Sequence, residues 1–205
     1  LWNKFSKSNM SIQDKLDVNR ELNNILKKTD LFNSVVQDIF VISDNGYCFT
    51  TVGQDGLAAN YDYWSKEWYQ KAKDTTGNVY VHILGLHDQD FYSKKRATTA
   101  KNKTFSISFA LQNSKGKVSG ALIYNFDVTQ LAEVLGASNY EENGKVAILN
   151  EEGVIMSRSD NSDIGSMLKV SERDREIMKR EKTGSFWTKV DGKEHFVSFQ
   201  TTSMG

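Results

Sequence analysis

The chain has 205 residues, 26 of them basic and 26 acidic, and 39 % are hydrophobic. That is enough to bury a core in one large domain or two small ones, and it excludes both intrinsic disorder and a broad positive footprint for nucleic acid. No apolar run approaches the roughly 20 residues that cross a bilayer, and no signal-peptide pattern is present. The sequence opens on Leu1-Trp2 and stops at Ser203-Met204-Gly205, just past a strand-like run. It therefore reads as a segment cut from a longer protein, whose location the missing targeting signals do not reveal.

Residues 1–34 are expected to form one long helix, running to about residue 32, with Ile12, Leu16, Leu22, Ile25 and Leu26 near a 3.6-residue period. The first ten residues are polar and only weakly periodic. Next, "DIFVISDNGYCFTTVG" (38–53) places Asn45-Gly46 between two apolar, β-branched runs, the strongest short-range hairpin signal. Cys48 lies in the second run. As the single cysteine it can form no intrachain disulfide, and it reads as a small buried hydrophobe.

"YDYWSKEWYQKA" (61–72) then concentrates five aromatic residues in twelve. A helix beginning near Asp62 would put Trp64, Trp68 and Ala72 on one face, against a sheet, with Lys66 and Tyr69 on an adjacent face. One tryptophan at least then belongs to the core. Tyrosine hydroxyls, an indole N–H and an ammonium on an apolar wall also suit a small polar or zwitterionic ligand. On residue chemistry alone, Tyr61 to Tyr69 reads equally as pocket or as core plus interface.

In "HILGLHDQD" (82–90), His82 falls in a strand and His87 in the loop after it, without the fixed i,i+4 geometry of a helical zinc site. Satisfied histidines are the default there, and no metal is expected. Lys94-Lys95-Arg96, with Lys101 and Lys103, reads as a solvated loop, and Asn102-Lys103-Thr104 fits a glycosylation sequon of importance only in a eukaryotic secretory setting. "TFSISFALQNSKGKVSGALIYNFD" (104–127) is a second hairpin around Lys115-Gly116. Its final Asp127 either caps the short helix "VTQLAEVLG" or reaches a cationic group on a ligand.

The same grammar recurs downstream in "KVAILNEEGVIMSRSD" (145–160) and in "GSFWTKVDGKEHFVSFQ" (184–200), turning at Asp191-Gly192. The expected fold is thus α+β: the N-terminal helix, then two PAS-like modules over 35–137 and 138–205, each an antiparallel sheet flanked by helices. Gly46 and Gly116 are 70 residues apart, while Gly153 and Gly192 are 39 apart, so the first module carries 31 extra residues. The aromatic cluster lies inside them, where binding function tends to sit on a rigid scaffold. The phosphate-loop, dinucleotide, nucleophile-elbow and H-E-x-x-H patterns are all missing, and no cofactor or catalytic activity is expected.

As a set, "VISDNGYCF", "KEWYQKA", "TFSISFAL…GKVSGALIYNFDVTQL", "VAILNEEGVIMSR" and "TGSFWTKVDGKEHFVSFQTTSMG" resemble the extracytoplasmic double Cache (dCache) sensor domains of bacterial chemoreceptors, histidine kinases and diguanylate cyclases. The resemblance covers nearly all of the chain. It implies two flanking membrane helices outside this segment, which would explain both cut ends. It also implies a membrane-distal module that holds a ligand and a smaller membrane-proximal module that relays the signal.

Amino-acid-binding members carry a Tyr, an Arg five residues on, then Trp and Tyr two and three beyond, and much later a strand-end Asp. Tyr61, Trp68, Tyr69 and Asp127 fit those places, and Lys66 stands at the Arg position, where an ammonium pairs with a carboxylate but lacks the bidentate fork. A further pocket Tyr would fall near Leu84-Gly85, which leaves Tyr80 as a displaced substitute. The expected ligand-binding set is therefore Tyr61, Trp64, Lys66, Trp68, Tyr69, Tyr80 and Asp127. The expected function is extracytoplasmic sensing of a small polar molecule, an amino acid or similar, and relay of that signal across the membrane. The alternative is a sensor that takes a sugar or a liganded partner protein through an aromatic surface. "LGLH…FY…FSISFAL" leans toward sensor kinases of Gram-positive bacteria, many of which respond to sugars or to no identified ligand. A homodimer through the N-terminal helix is an arrangement the sequence leaves open.

Overall fold

The structure is a computed structural model that describes residues 2–5, 7, 9–27, 35–53, 56–88, 90–93, 103–137, 144–190 and 192–202. Both chain ends, residues 28–34, the basic run Lys94-Lys95-Arg96, Lys101 and the sequon Asn102 lie outside the described residues. No helix among the described residues is long and apolar enough to cross a membrane.

The expected N-terminal helix is interrupted before Ile12 and is preceded by a separate turn of helix. Helix α1 covers Trp2–Phe5 and helix α2 covers Ile12–Lys27. The break has a local cause. The Ser11 hydroxyl accepts the Asp14 backbone N–H at 3.0 Å, so Ser11 starts α2 as its cap and the helix cannot run back through it. Phe5 is then free to pack fully buried with Val18, Leu22, Val41 and Phe49, and the ion pairs Lys4–Asp17 and Lys7–Asp14 hold α1 alongside α2.

Five strands follow in an antiparallel sheet: β1 Val36–Ser43, β2 Cys48–Thr50, β3 Val81–Asp88, β4 Lys103–Gln112 and β5 Val118–Phe126, in the spatial order β2-β1-β5-β4-β3. The two expected hairpins are there, joined side by side through β1 and β5. Gly46 takes a φ of 91° in the first turn, the left-handed conformation that glycine adopts without steric strain. The 31 extra residues deduced from the turn spacing supply helix α3 (Glu67–Lys73) and the edge strand β3. Both His82 and His87 lie within β3, not in strand and loop as expected, because β3 runs on to Asp88 against β4.

Alternation along β1 divides the core in two. Phe40 and Ile42 face one side, with Ala121 and Ile123 of β5, and are covered by Tyr63, Tyr69, Ala72, Phe91 and Tyr92. Val41 faces the other side, beneath α2. The aromatic stretch thus packs on one face of the sheet and the N-terminal helices on the opposite face.

The chain divides into two compact units at residues 131 and 132, inside helix α4 (Val128–Ala137). In the second unit, β6 (Ala147–Leu149) pairs with β7 (Ile155–Arg158), helix α5 covers Glu172–Arg180, and β8 (Thr183–Val190) pairs with β9 (Lys193–Gln200). Ile155, Met156, Ile164 and Val170 are buried there. The architecture is α+β, with an N-terminal helix and antiparallel sheets flanked by helices.

Candidate functional site

The path of residues 61–66 is set by one carboxylate. Asp62 Oδ1 accepts the backbone N–H groups of Trp64 at 3.0 Å and Ser65 at 3.2 Å, a local turn that competes with helix. The α-helix is delayed to Glu67, with Lys66 at its N-cap, so Trp64 and Trp68 do not share a helical face as expected. Trp64 packs on the same aromatic core, but its indole N–H donates to the Ser43 carbonyl at 3.0 Å, fastening the turn to the end of β1.

Tyr69 meets Trp68 edge to face, but its hydroxyl is bonded elsewhere. It is fully buried, its hydroxyl donates to Asp44 at 3.1 Å, and the Lys73 ammonium sits 4.7 Å over its ring while bonding the same Asp44 at 2.7 Å. Tyr80 is 40 % exposed just ahead of β3, where its backbone carbonyl accepts from the Ala110 N–H. Asp127 caps α4, its Oδ1 accepting the backbone N–H groups of Thr129 at 2.8 Å and Gln130 at 3.3 Å.

Tyr61, Lys66 and Trp68 do come together, around a residue that the expected set did not contain. The Asp90 carboxylate accepts the Tyr61 hydroxyl at 2.7 Å on one oxygen and the Lys66 ammonium at 2.9 Å on the other. The ammonium also lies 4.7 Å over the Tyr61 ring, a cation–π contact. Burial and then the bond to Asp90 push the Tyr61 hydroxyl well above its usual range, while the nearby Trp68 side chain offsets part of that rise. Partial burial tends to raise the Asp90 carboxyl, but the bonds from Tyr61 and Lys66 outweigh it and hold Asp90 below the usual carboxylate range. Hydroxyl and ammonium thus converge on one carboxylate, with an indole beside them.

Beneath this cluster Trp68 lies flat on His87, with ring centroids 5.4 Å apart and planes at 20°. Behind the imidazole a polar ladder crosses three strands. His87 Nε2 is 2.6 Å from the Ser106 hydroxyl, which donates to Asn125 Oδ1 at 2.6 Å, and the Asn125 amide donates to Asp38 at 2.7 Å. Asp38, Ser106 and Asn125 are all buried, so these bonds satisfy groups that would otherwise be left without water. Desolvation pulls the His87 pKa down to about 4, so the ring is neutral at ordinary pH.

Phe40, Trp68, His87, Phe91, Ile123 and Asn125 line a narrow gap that leaves no room for a water molecule. The Tyr92 hydroxyl, buried in the same aromatic cluster, has no hydrogen-bond partner among the described residues. A second depression, along α3 and floored by Val118, is open to solvent; its Lys73 is already matched to Asp44.

The two histidines and two aspartates of residues 82–90 have separate partners: His82 the Asp74 carbonyl, His87 the Ser106 hydroxyl, Asp88 the Lys103 ammonium, and Asp90 the Tyr61–Lys66 pair. Among the described residues no three His, Cys, Asp or Glu side chains are placed to hold a metal ion. Cys48 is part-buried, and desolvation raises its thiol to about 12, so it is no nucleophile at neutral pH.

Solved structures share this fold. The ligand-binding domain of the Pseudomonas aeruginosa amino-acid chemoreceptor PctC, in complex with GABA, matches 94 % of this chain and 77 % of its own at 14 % identity, with a TM-score of 0.57. The periplasmic sensory domain of the Campylobacter jejuni chemoreceptor Tlp1 matches 90 % of this chain and 74 % of its own at 12 % identity, with a TM-score of 0.61. An extracellular domain assigned to a histidine kinase matches 92 % and 82 %, at 12 % identity and a TM-score of 0.63. No curated sequence matches the chain significantly. The Cache domain family matches over residues 4–205, so the chain belongs to the double Cache family of non-catalytic sensor domains.

Proposed function

We propose that the chain is the extracytoplasmic ligand-sensing part of a bacterial transmembrane receptor, and that it takes a small carboxylate-bearing molecule, an amino acid or similar, in its first unit. The observation that carries this reading is the convergence of the Tyr61 hydroxyl and the Lys66 ammonium on one carboxylate, beside Trp68 and above a polar ladder. A hydroxyl and an ammonium fix the anionic end of such a ligand, while Trp68, Phe40 and Phe91 offer its apolar part a surface. PctC, which shares the fold, holds GABA.

Binding would act as a shift between two arrangements. The gap between Trp68 and His87 is closed to water, so a ligand must part the 61–68 segment from β3 and the 90–92 turn to enter. A ligand moves the balance only by the difference in its affinity for the closed and parted states. Residues 35–137 would be the membrane-distal, ligand-holding module and 138–205 the membrane-proximal relay. Membrane helices outside this segment would carry the signal to an output domain, with the N-terminal helix serving as a dimer contact.

A thermal-shift screen of the chain against amino acids, amines, organic acids and sugars tests the reading. A ligand at a hundred times its dissociation constant stabilises by about 2.7 kcal/mol. An amino-acid hit that disappears in Lys66→Met and Trp68→Ala is the expected result. A hit confined to sugars and indifferent to Lys66 would exclude the carboxylate reading, and silence across the library would turn the site into a contact for a partner protein.

A further inference from the structure

Asp90 occupies a place that the proposed ligand would need. Its two carboxylate oxygens separately receive the Tyr61 hydroxyl and the Lys66 ammonium, which is how a free carboxylate would sit between the same two donors. Both donors belong to the 61–66 segment, whereas Asp90 sits on the turn after β3. The closed cluster is thus an ion pair across a seam, with one internal carboxylate holding two donors from the facing side.

The bridge is not needed to fasten that turn. Backbone pairing already ties residues 91–93 to residues 56–58: Ala58 N–H donates to the Phe91 carbonyl at 2.8 Å, Ser93 N–H donates to the Gly56 carbonyl at 2.9 Å, and Leu57 bridges Tyr92. Phe91 and Tyr92 are buried in the aromatic cluster and anchor the turn a second time. The Asp90 side chain itself is half exposed, so its carboxylate could swing into water without dragging the backbone with it. The turn is held by its neighbours, and the carboxylate is free to exchange.

We propose that Asp90 is an internal stand-in for the ligand's carboxylate, which occupies the Tyr61–Lys66 anion position in the closed state and must be displaced when a small carboxylate-bearing ligand binds. The inference rests on the reading of Tyr61, Lys66 and Trp68 as the ligand site. It makes Asp90 a specificity-determining residue: a ligand without an anionic end cannot replace its carboxylate and would leave Lys66 paired as it is. Exchange of one carboxylate for another leaves the ammonium paired in both the closed and the bound state.

Acetate, the smallest carboxylate, and a panel of free amino acids with GABA serve as probes against the wild-type chain, Asp90→Asn, Asp90→Ala and Lys66→Met, with circular dichroism checking that each variant is folded. The expected result is acetate binding that is tighter in Asp90→Asn and Asp90→Ala than in wild type by about twofold to fivefold, the range set by an exposed ion pair that no longer competes. Placing Lys66→Met in the Asp90→Asn background should abolish that gain. Equal or weaker acetate binding in both folded Asp90 variants overturns the proposal, as does a gain that persists without Lys66. The panel separates this from the underlying reading. Amino acids that bind wild type and both Asp90 variants alike leave the sensing site standing and remove only the stand-in. Acetate captured by the Asp90 variants with no panel member binding wild type keeps the stand-in but removes the amino-acid assignment.

Discussion

The indole of Trp68 lies on the imidazole of His87, 5.4 Å between ring centres, and the far edge of that imidazole meets the Ser106 hydroxyl. A ring held this way is stable as the neutral form and costly as the cation. Desolvation lowers the His87 pKa to about 4, against about 6.5 for a histidine in an unfolded chain. Between those values the unfolded chain takes up a proton that the folded chain refuses. Stability is therefore full above about pH 6.5 and falls as the pH drops toward 4, by a total on the order of 3 kcal/mol. Urea unfolding at pH 7.5 and pH 5 should show this loss in wild type and a much flatter dependence in His87→Gln. An unchanged slope in the variant would mean that some other group sets the acid sensitivity.

Asn125 bridges two strands with both ends of its amide, donating to the buried Asp38 carboxylate and accepting from Ser106. Asn125→Leu keeps the volume but leaves that carboxylate without its amide, and it should cost about 2–4 kcal/mol in chemical denaturation. Ser106→Ala should cost about 1 kcal/mol. Because the three groups polarise one another in a dry interior, the double variant should lose less than the two losses added together. Strict additivity would show the ladder to be separate bonds and not a network.

The fold was largely legible in the sequence because its signals are local. Asn45-Gly46 and Lys115-Gly116 sit between β-branched runs, and turn geometry alone dictates those hairpins. The break before α2 was harder to see, since it depends on the Ser11 cap and on Phe5 finding a place in the core 36 residues before Val41. The site was legible only in part. Residue type singles out Tyr61, Lys66 and Trp68 as a candidate cluster, but no spacing reveals the bonds that tie Trp64 to Ser43 and Tyr69 to Asp44. The polar ladder left a trace: Ser106 and Asn125 each stand between two apolar residues of their strands, where a buried polar group requires a partner. Their alignment depends on register across β1, β5 and β4, which is a property of the assembled sheet.

Asp127 offers a way to separate a cap from a ligand contact. Its Oδ1 accepts the N–H groups of Thr129 and Gln130, a role that an asparagine oxygen also performs. Asp127→Ala should lose about 1 kcal/mol, lowering the melting temperature by about 2–4 °C for a chain of this size, while Asp127→Asn should lose little. Asparagine removes the negative charge alone. A ligand whose binding fails in a fully stable Asp127→Asn variant is therefore read by that charge. A ligand that binds Asp127→Asn normally makes the residue a helix cap and nothing more.

Gly120 shows how tightly β5 and β1 are joined. A Cβ at this position would stand 2.3 Å from the Ile42 carbonyl oxygen and 3.1 Å from Ser43 Cα, both backbone atoms of the neighbouring strand. Backbone in a paired strand cannot yield without moving the ladder, and this junction carries Val41 into one core and Ile42 into the other. Gly120→Ala should therefore destabilise by more than about 2 kcal/mol. Gly184 in β8 provides the comparison. A Cβ there meets the Phe199 ring at 2.9 Å, a side chain that can turn aside, so Gly184→Ala should cost under about 1 kcal/mol. Thermal melts of the two variants measure the difference directly. If Gly120→Ala melts as wild type does, β1 and β5 can shift relative to one another, and the polar ladder that crosses them is not held in a fixed register.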